Sequence, residues 1–236
     1  MNAHKNLRKG LIFVLMFLGI GLLLVMPSQA QSVVSLDTSS LTGQGTYYLY
    51  FELLDGSGTG DGNSQATISA LSLTGGSLGA ALFSDGTVSG TPTASTGLTL
   101  IDSDAATGGV ADYAQAFTVT GTPSLLSFDV GLQTTPPLDT PIPDAFDVLL
   151  LESDGMTPVP TDGPTGVELV ASLFTSTSPT LTGYTTAPDS PVTLMPTILP
   201  LGNSPSVPEP GSLSLLALGA LPLVWSAARW RRRTVI

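Results

Sequence analysis

From residue 47 to residue 174, apolar and polar side chains alternate in short runs. Strict alternation places successive side chains on opposite faces of an extended chain, the pattern of a half-buried β-strand. Tyr47, Leu49, Phe51 and Leu53 share one face of a strand over 47–54. Ala66 to Leu73 is a second such run, and Tyr113, Gln115, Phe117 and Val119 line a third. Leu126, Phe128, Val130 and Leu132 line a fourth. Phe146 to Glu152 is nearly continuous in apolar residues, as expected of a strand deeper in a sheet. Val167 to Phe174 closes the series.

Turn-forming pairs separate these runs: Asp55-Gly56, Asp61-Gly62, Gly75-Gly76, Asp85-Gly86, Gly108-Gly109, Asp154-Gly155 and Asp162-Gly163. Glycine supplies the left-handed backbone that tight turns need, and Asp bonds its own turn. No stretch of the middle carries a helical period with caps. Many short strands with Gly-rich turns predict a mainly β chain, a single antiparallel β-sandwich over 31–174, long enough to bury a working core.

Both ends of the chain read differently. Lys5, Arg8 and Lys9 precede an apolar stretch from Leu11 to Met26, and Ser28-Gln29-Ala30 is a small-x-small sequence. This predicts a signal peptide over 1–30, with cleavage between Ala30 and Gln31. Residues 175–206 are rich in Pro, Ser and Thr, as in Ser178-Pro179, Ala187-Pro188 and Ser190-Pro191, and predict an extended stalk. Residues 212–228 carry no charge, and a helix of that length reaches ~26 Å, the short end of what spans a bilayer. A transmembrane helix is expected there, kinked at Pro222, with Trp225 and Trp230 at the interface. Arg229, Arg231, Arg232 and Arg233 behind it form a stop-transfer cluster that favours the cytoplasmic side.

Charge sharpens this division. The 7 Lys and Arg all lie before residue 10 or after residue 228, and His4 is the sole histidine. The 18 Asp and Glu all lie between Asp37 and Glu209. A middle without a positive side chain has nothing to place on phosphates, which excludes nucleic acid as a partner, and anionic lipid surfaces repel it. There is no Cys, so disulfides, thiol chemistry and thiolate metal sites are excluded.

The C-terminal block runs Val207-Pro208-Glu209-Pro210, a short apolar helix, Arg229-Trp230-Arg231-Arg232-Arg233, and the end of the sequence. It resembles the PEP-CTERM sorting signal of Gram-negative and related bacteria, over residues 207–236. That resemblance implies a partner: exosortase, a multi-spanning, transpeptidase-like membrane enzyme with a catalytic Cys. Its gene sets usually accompany exopolysaccharide production. Pro208, Glu209 and Pro210 would be the recognition element, a substrate motif rather than an active site. The stretch YYLYFELLDGSGTGDGNSQATIS at 47–69 and PDAFDVLLLESDG at 143–155 resemble a group of PEP-CTERM proteins that open on a Tyr-Tyr strand. The resemblance implies a fold similar to the jelly-roll sandwiches of carbohydrate-binding modules.

Catalysis has few residues to work with. Past the signal there is no His, Lys or Cys, so no Ser has its usual base, and the Gly-rich turns lack the Lys of a phosphate-binding loop. A zinc site would have to be all carboxylate. Paired carboxylates for glycoside hydrolysis are available in Asp112, Asp129, Asp144, Asp147 and Glu152, but the middle has no Trp to build sugar subsites. The expectation is a domain that is not an enzyme, with no cofactor and no catalytic metal. A structural calcium is the one ion with a foothold. Asp55, Asp61 and Asn63 offer oxygens in a Gly-rich turn, though not in an EF-hand pattern.

Two functions remain. One is an exported, membrane-tethered surface or matrix protein in an exopolysaccharide setting. The other is a carbohydrate-binding module on a tether, for which Tyr47, Tyr48, Tyr50, Tyr113 and Tyr184 are the available stacking rings.

Overall fold

The structure, a computed structural model, describes residues 30–201. Twelve strands follow in order: β1 Ala30–Asp37, β2 Thr46–Leu54, β3 Ser64–Thr74, β4 Gly76–Asp85, β5 Thr87–Gly90 and β6 Leu98–Ile101 come first. Then come β7 Ala111–Val119, β8 Leu125–Thr134, β9 Ala145–Leu151, β10 Glu168–Leu173, β11 Thr182–Gly183 and β12 Pro196–Leu201. A 3₁₀ turn at Ser39–Leu41 links β1 to β2. The strands form two antiparallel six-stranded sheets, ordered β12-β1-β8-β3-β6-β5 and β11-β10-β9-β2-β7-β4. The architecture is that of a β-sandwich. Among the described residues no helix is long and apolar enough to cross a membrane. The expected signal segment up to Gln29 and the expected membrane helix at 212–228 lie outside the described residues.

Alternation dictates the core. Every second residue of β2, namely Tyr47, Leu49, Phe51 and Leu53, is buried, and the residues between them are half exposed. The inward faces expected of β7 and β8 are buried as well. Phe51 of the second sheet meets Phe128 of the first edge to face, ring centroids 5.4 Å apart, which ties the two sheets together at the centre. The near-continuous apolar run at 146–152 becomes β9, third of six strands in its sheet.

The expected stalk is corrected over residues 175–201. Val192 and Leu194 are 3% and 1% exposed, β11 pairs with β10, and β12 pairs with the whole inner length of β1 from Gln31↔Leu201 to Leu36↔Pro196. The prolines that suggested a stalk are those of an edge strand: Pro196 and Pro200 lie in β12. Proline cannot donate to a ladder, so it is tolerated where one side of the strand faces solvent, and it blocks further pairing there. The other edges are blunted in other ways. β5 and β11 are four and two residues long, and β4 carries two bulges, between Leu78 and Ala81 and between Ala81 and Phe83. With no Lys available, shortness, proline and bulges do what edge lysines often do.

The strand ends define two poles. β1 starts, β2 ends, β3 starts, β7 starts, β9 starts and β12 ends at the same pole, as the registers Gln31↔Leu201, Ala30↔Leu132, Leu53↔Ala111 and Leu54↔Ala145 require. The loops at that pole carry Asp55, Asp61, Asp102, Asp104, Asp139 and Asp144.

Candidate functional site

The turn after β2 is built around Asp55. Its carboxylate accepts four backbone N–H groups: Ser57 at 2.6 Å and Gly58 at 3.1 Å on Oδ1, Thr59 at 2.9 Å and Gly60 on Oδ2. Gly58, Gly60 and Gly62 adopt positive φ, which wraps the chain tightly enough to aim successive N–H groups inward. Gly109, with φ +79°, lies against the Asp55 side chain where a Cβ would collide with it. Burial works against ionisation of Asp55, but the bonds from Ser57 and Gly60 outweigh it and hold its carboxyl down at about 2.

Asp139 and Asp144 close on Asp55 from the β8–β9 connection, and the three carboxylates place oxygens within 4.8 Å of one another. Asp144 accepts the Gly56 N–H at 2.8 Å on Oδ1 and the Ser64 hydroxyl on Oδ2. Asp139 accepts the Ser57 N–H at 3.3 Å and Asn63 Nδ2 at 3.3 Å. Burial, then the neighbouring Asp144 and Asp55, pushes Asp139 up to about 7. Beside them Asp102, fully buried, accepts the Ser64 N–H on both oxygens. Burial raises it to about 7 in spite of those bonds, helped by the charges of Asp144, Asp61 and Asp55. Of the residues expected to bind calcium, Asp55 joins the trio, whereas Asp61 is turned to Asn63, taking its N–H at 3.0 Å and its amide at 2.8 Å. Three carboxylates at this spacing are ligands that suit a hard cation.

A second acidic group lies on the outer face of the sheet β11-β10-β9-β2-β7-β4. Glu52 of β2 stands opposite Asp112 of β7 on one side and Asp147 of β9 on the other, and Asp112 stands opposite Asp85 of β4. Four carboxylates therefore form one row across four neighbouring strands. Like charges directly opposite each other are destabilising, and burial adds to the cost of charging the row. Burial, then the charges of Glu168 and Glu52, raises Asp147 to about 7. Burial also raises Glu52 and Asp112, against a hydrogen bond from Tyr50. The Tyr50 hydroxyl lies 3.0 Å from Glu52 Oε1 and 3.2 Å from Asp112 Oδ2, and its own ionisation is pushed far up by burial and these two charges. Asp112 Oδ1 is shut off from solvent and accepts no hydrogen bond.

Beside the row runs an aromatic strip. Tyr50 packs on Phe83 with centroids 5.7 Å apart, and Phe83 is still 38% exposed. Leu82 is exposed next to it, and the turn holding Gly155 reaches Leu82 and Tyr48.

The carboxylates singled out for hydrolysis are dispersed. Asp112 and Asp147 fall in the row with Glu52 between them, and Asp144 sits at the pole. Asp129 lies in β8 of the other sheet, and Glu152 follows β9 at the far pole. Among the tyrosines, Tyr47 and Tyr113 are core residues, and Tyr48 and Tyr50 face outward. Gln31 and the backbone of Ala30 begin β1, whereas Pro208, Glu209, Pro210, Arg229, Arg231, Arg232 and Arg233 lie outside the described residues. Sequence reading missed Glu52, Asp85, Asp102 and Asp139 as site members. Glu52 is legible as an outward position of β2, but its partners emerge only once strand register is known. Comparison with protein-family models, curated proteins and solved structures finds no match.

Proposed function

We propose that this chain is an exported surface or matrix protein, sorted through a PEP-CTERM signal at 207–236 and processed by an exosortase-type enzyme. The observation that carries the reading is the segregation of charge. Every Lys and Arg lies before residue 10 or after residue 228, flanking apolar segments, and every acid lies between them. Four Arg within five residues hold the C-terminal side in the cytoplasm, because carrying each across the bilayer centre costs about 3 kcal/mol on translocon-based scales. A Pro-Glu-Pro sequence disfavours helix at its middle residue, which supports Pro208, Glu209 and Pro210 as the element that a membrane enzyme engages ahead of the apolar stretch. The domain's role is structural, in an exopolysaccharide setting, and it is not catalytic. What supports the last point is the lack of His, Lys and Cys from 30 to 201.

The finer fold in this reading is a jelly-roll. β1 pairs with β8, β2 with β7 and β3 with β6, the nested pairing of a folded-over hairpin. The departure is β5, which leaves β4 at Gly86 and pairs with β6 in the other sheet.

The test is the mass of the protein isolated from its own host. A C-terminus near Pro210 is expected, and replacing Pro208, Glu209 and Pro210 by Ala should leave the chain full length in the membrane. An intact Arg-rich terminus as the main species of the unaltered protein overturns the sorting role. A second reading, a carbohydrate-binding module, is favoured by one feature: the carboxylate row beside Tyr50 and Phe83 on an outer sheet face.

A further inference from the structure

We propose that the outer face of the second sheet binds an amino-sugar polysaccharide, with its ammonium groups on the Asp85–Asp112–Glu52–Asp147 row and its ring faces against Tyr50 and Phe83. The proposal rests on the carbohydrate-binding reading and gives it a site and a ligand class. The row offers acceptors almost alone. Its side-chain donor, the Tyr50 hydroxyl, already serves Glu52 and Asp112, and the Gly86 N–H serves Asp85. A complementary ligand must therefore bring donors of its own to the carboxylate oxygens that the outer face leaves open. It should also bring positive charge, because the row puts four carboxylates directly opposite one another and no residue from 30 to 201 is Lys, Arg or His.

Those needs alone would suit a bare cation or a basic peptide. The aromatic strip decides between them. Tyr50 and Phe83 lie one outward position from Glu52 and Asp112 along the strands, so apolar faces and carboxylates run side by side across the sheet. A metal ion has no use for the rings. A sugar ring has an apolar C–H face for an aromatic and polar edges for carboxylates, and an amino sugar places a cation on that edge. The row crosses four strands, a span of ~14 Å at the usual strand spacing, so it meets several consecutive sugars of an extended polymer. An anionic polysaccharide is repelled by the same carboxylates, and a neutral one leaves them uncompensated.

The full-length protein in neutral detergent is titrated with a glucosamine hexasaccharide, its fully N-acetylated counterpart, cellohexaose and hexalysine. The glucosamine oligomer is expected to bind at least tenfold more tightly than the other three. The double variant Glu52→Gln/Asp147→Asn should weaken it at least tenfold, as should Phe83→Ala. Asp37→Asn/Asp129→Asn removes the same charge elsewhere and should leave binding within twofold. Thermal melting confirms that each variant folds, which is expected because the amides relieve repulsion within the row. No binding, equal binding of the acetylated or neutral oligomer, equal binding of hexalysine, or equal loss in the Asp37/Asp129 control each overturns the proposal. Processing of the tail is read separately by mass, so failure here leaves the sorting reading standing and the reverse also holds.

Discussion

Gln31 and Leu201 face each other across the β1–β12 ladder, so the two ends of the sandwich stand side by side at its acidic pole. The chain between Phe174 and Leu201 is therefore needed to complete the first sheet. It lays Val192 and Leu194 into the core and places β12 along β1. Cleavage near Pro210, as proposed, would spare all of this.

A fragment ending at residue 190 should consequently lose the sandwich's cooperative unfolding, whereas one ending at residue 206 should keep it. Leu194→Ala in the longer fragment should cost about 2–5 kcal/mol, as for other fully buried leucines. Urea denaturation followed by circular dichroism measures both. An unchanged midpoint for the shorter fragment would return 175–206 to the role of stalk.

At the centre, Phe51→Ala should be among the most damaging single changes, about 3–5 kcal/mol, because it removes the ring that meets Phe128 between the sheets. Phe83→Ala, on an exposed ring, should cost well under half as much. A comparable loss at both positions would contradict the packing described.

Alternation made β2, β3, β7 and β8 legible, because each buries a face against the opposite sheet, whereas β9 and β10 were legible from their apolar runs. β4 escaped notice because Gly79, Ala80, Ala81, Leu82, Phe83, Ser84 and Asp85 are exposed on both faces, so burial imposes no period on them. β12 escaped for a different reason: Pro196 and Pro200 read as breakers although the strand needs donors on one side only. The site followed the same division. Asp55 could be found because its turn is local in sequence, with its N–H donors two to five residues away. Asp139, Asp102 and the Asp85–Asp112–Glu52–Asp147 row could not, because they are assembled by register between strands far apart in the chain.

Asp55→Ala should unfold the 55–63 turn and cost at least about 2 kcal/mol, since it strands several inward-aimed N–H groups at once. Asp55→Asn keeps the shape and should cost less. Hydrogen exchange at Ser57, Thr59 and Gly60 is the direct measurement. Protection of those amides that survives Asp55→Ala would mean that the glycine geometry alone holds the turn.

Stability should fall as pH rises from about 4 to 8, the reverse of ordinary carboxylate behaviour. Asp102, Asp139 and Asp147 titrate near about 7 in the folded protein against 3.8 for a free aspartate. Between those values the folded state holds protons that the unfolded chain has released, so each unit of rising pH favours unfolding, and the loss is complete above about 7. Asp55 and Asp154 act in the other direction. Held near about 2, they add stability that is present above 3.8 and lost as pH drops toward 2. The melting temperature should therefore peak near pH 4 and be lower at pH 8 than at pH 5. Calcium supplies an independent check on the pole. At pH 8 Asp139 has given up its proton, and a cation among Asp55, Asp139 and Asp144 would replace it, so millimolar calcium should raise the melting temperature more at pH 8 than at pH 5. Asp139→Asn should remove both the calcium effect and part of the pH slope. A melting temperature flat from pH 5 to pH 8 would contradict the burial of these carboxylates. An equal rise with magnesium or with sodium chloride would assign the calcium effect to screening of a strongly acidic domain rather than to the trio.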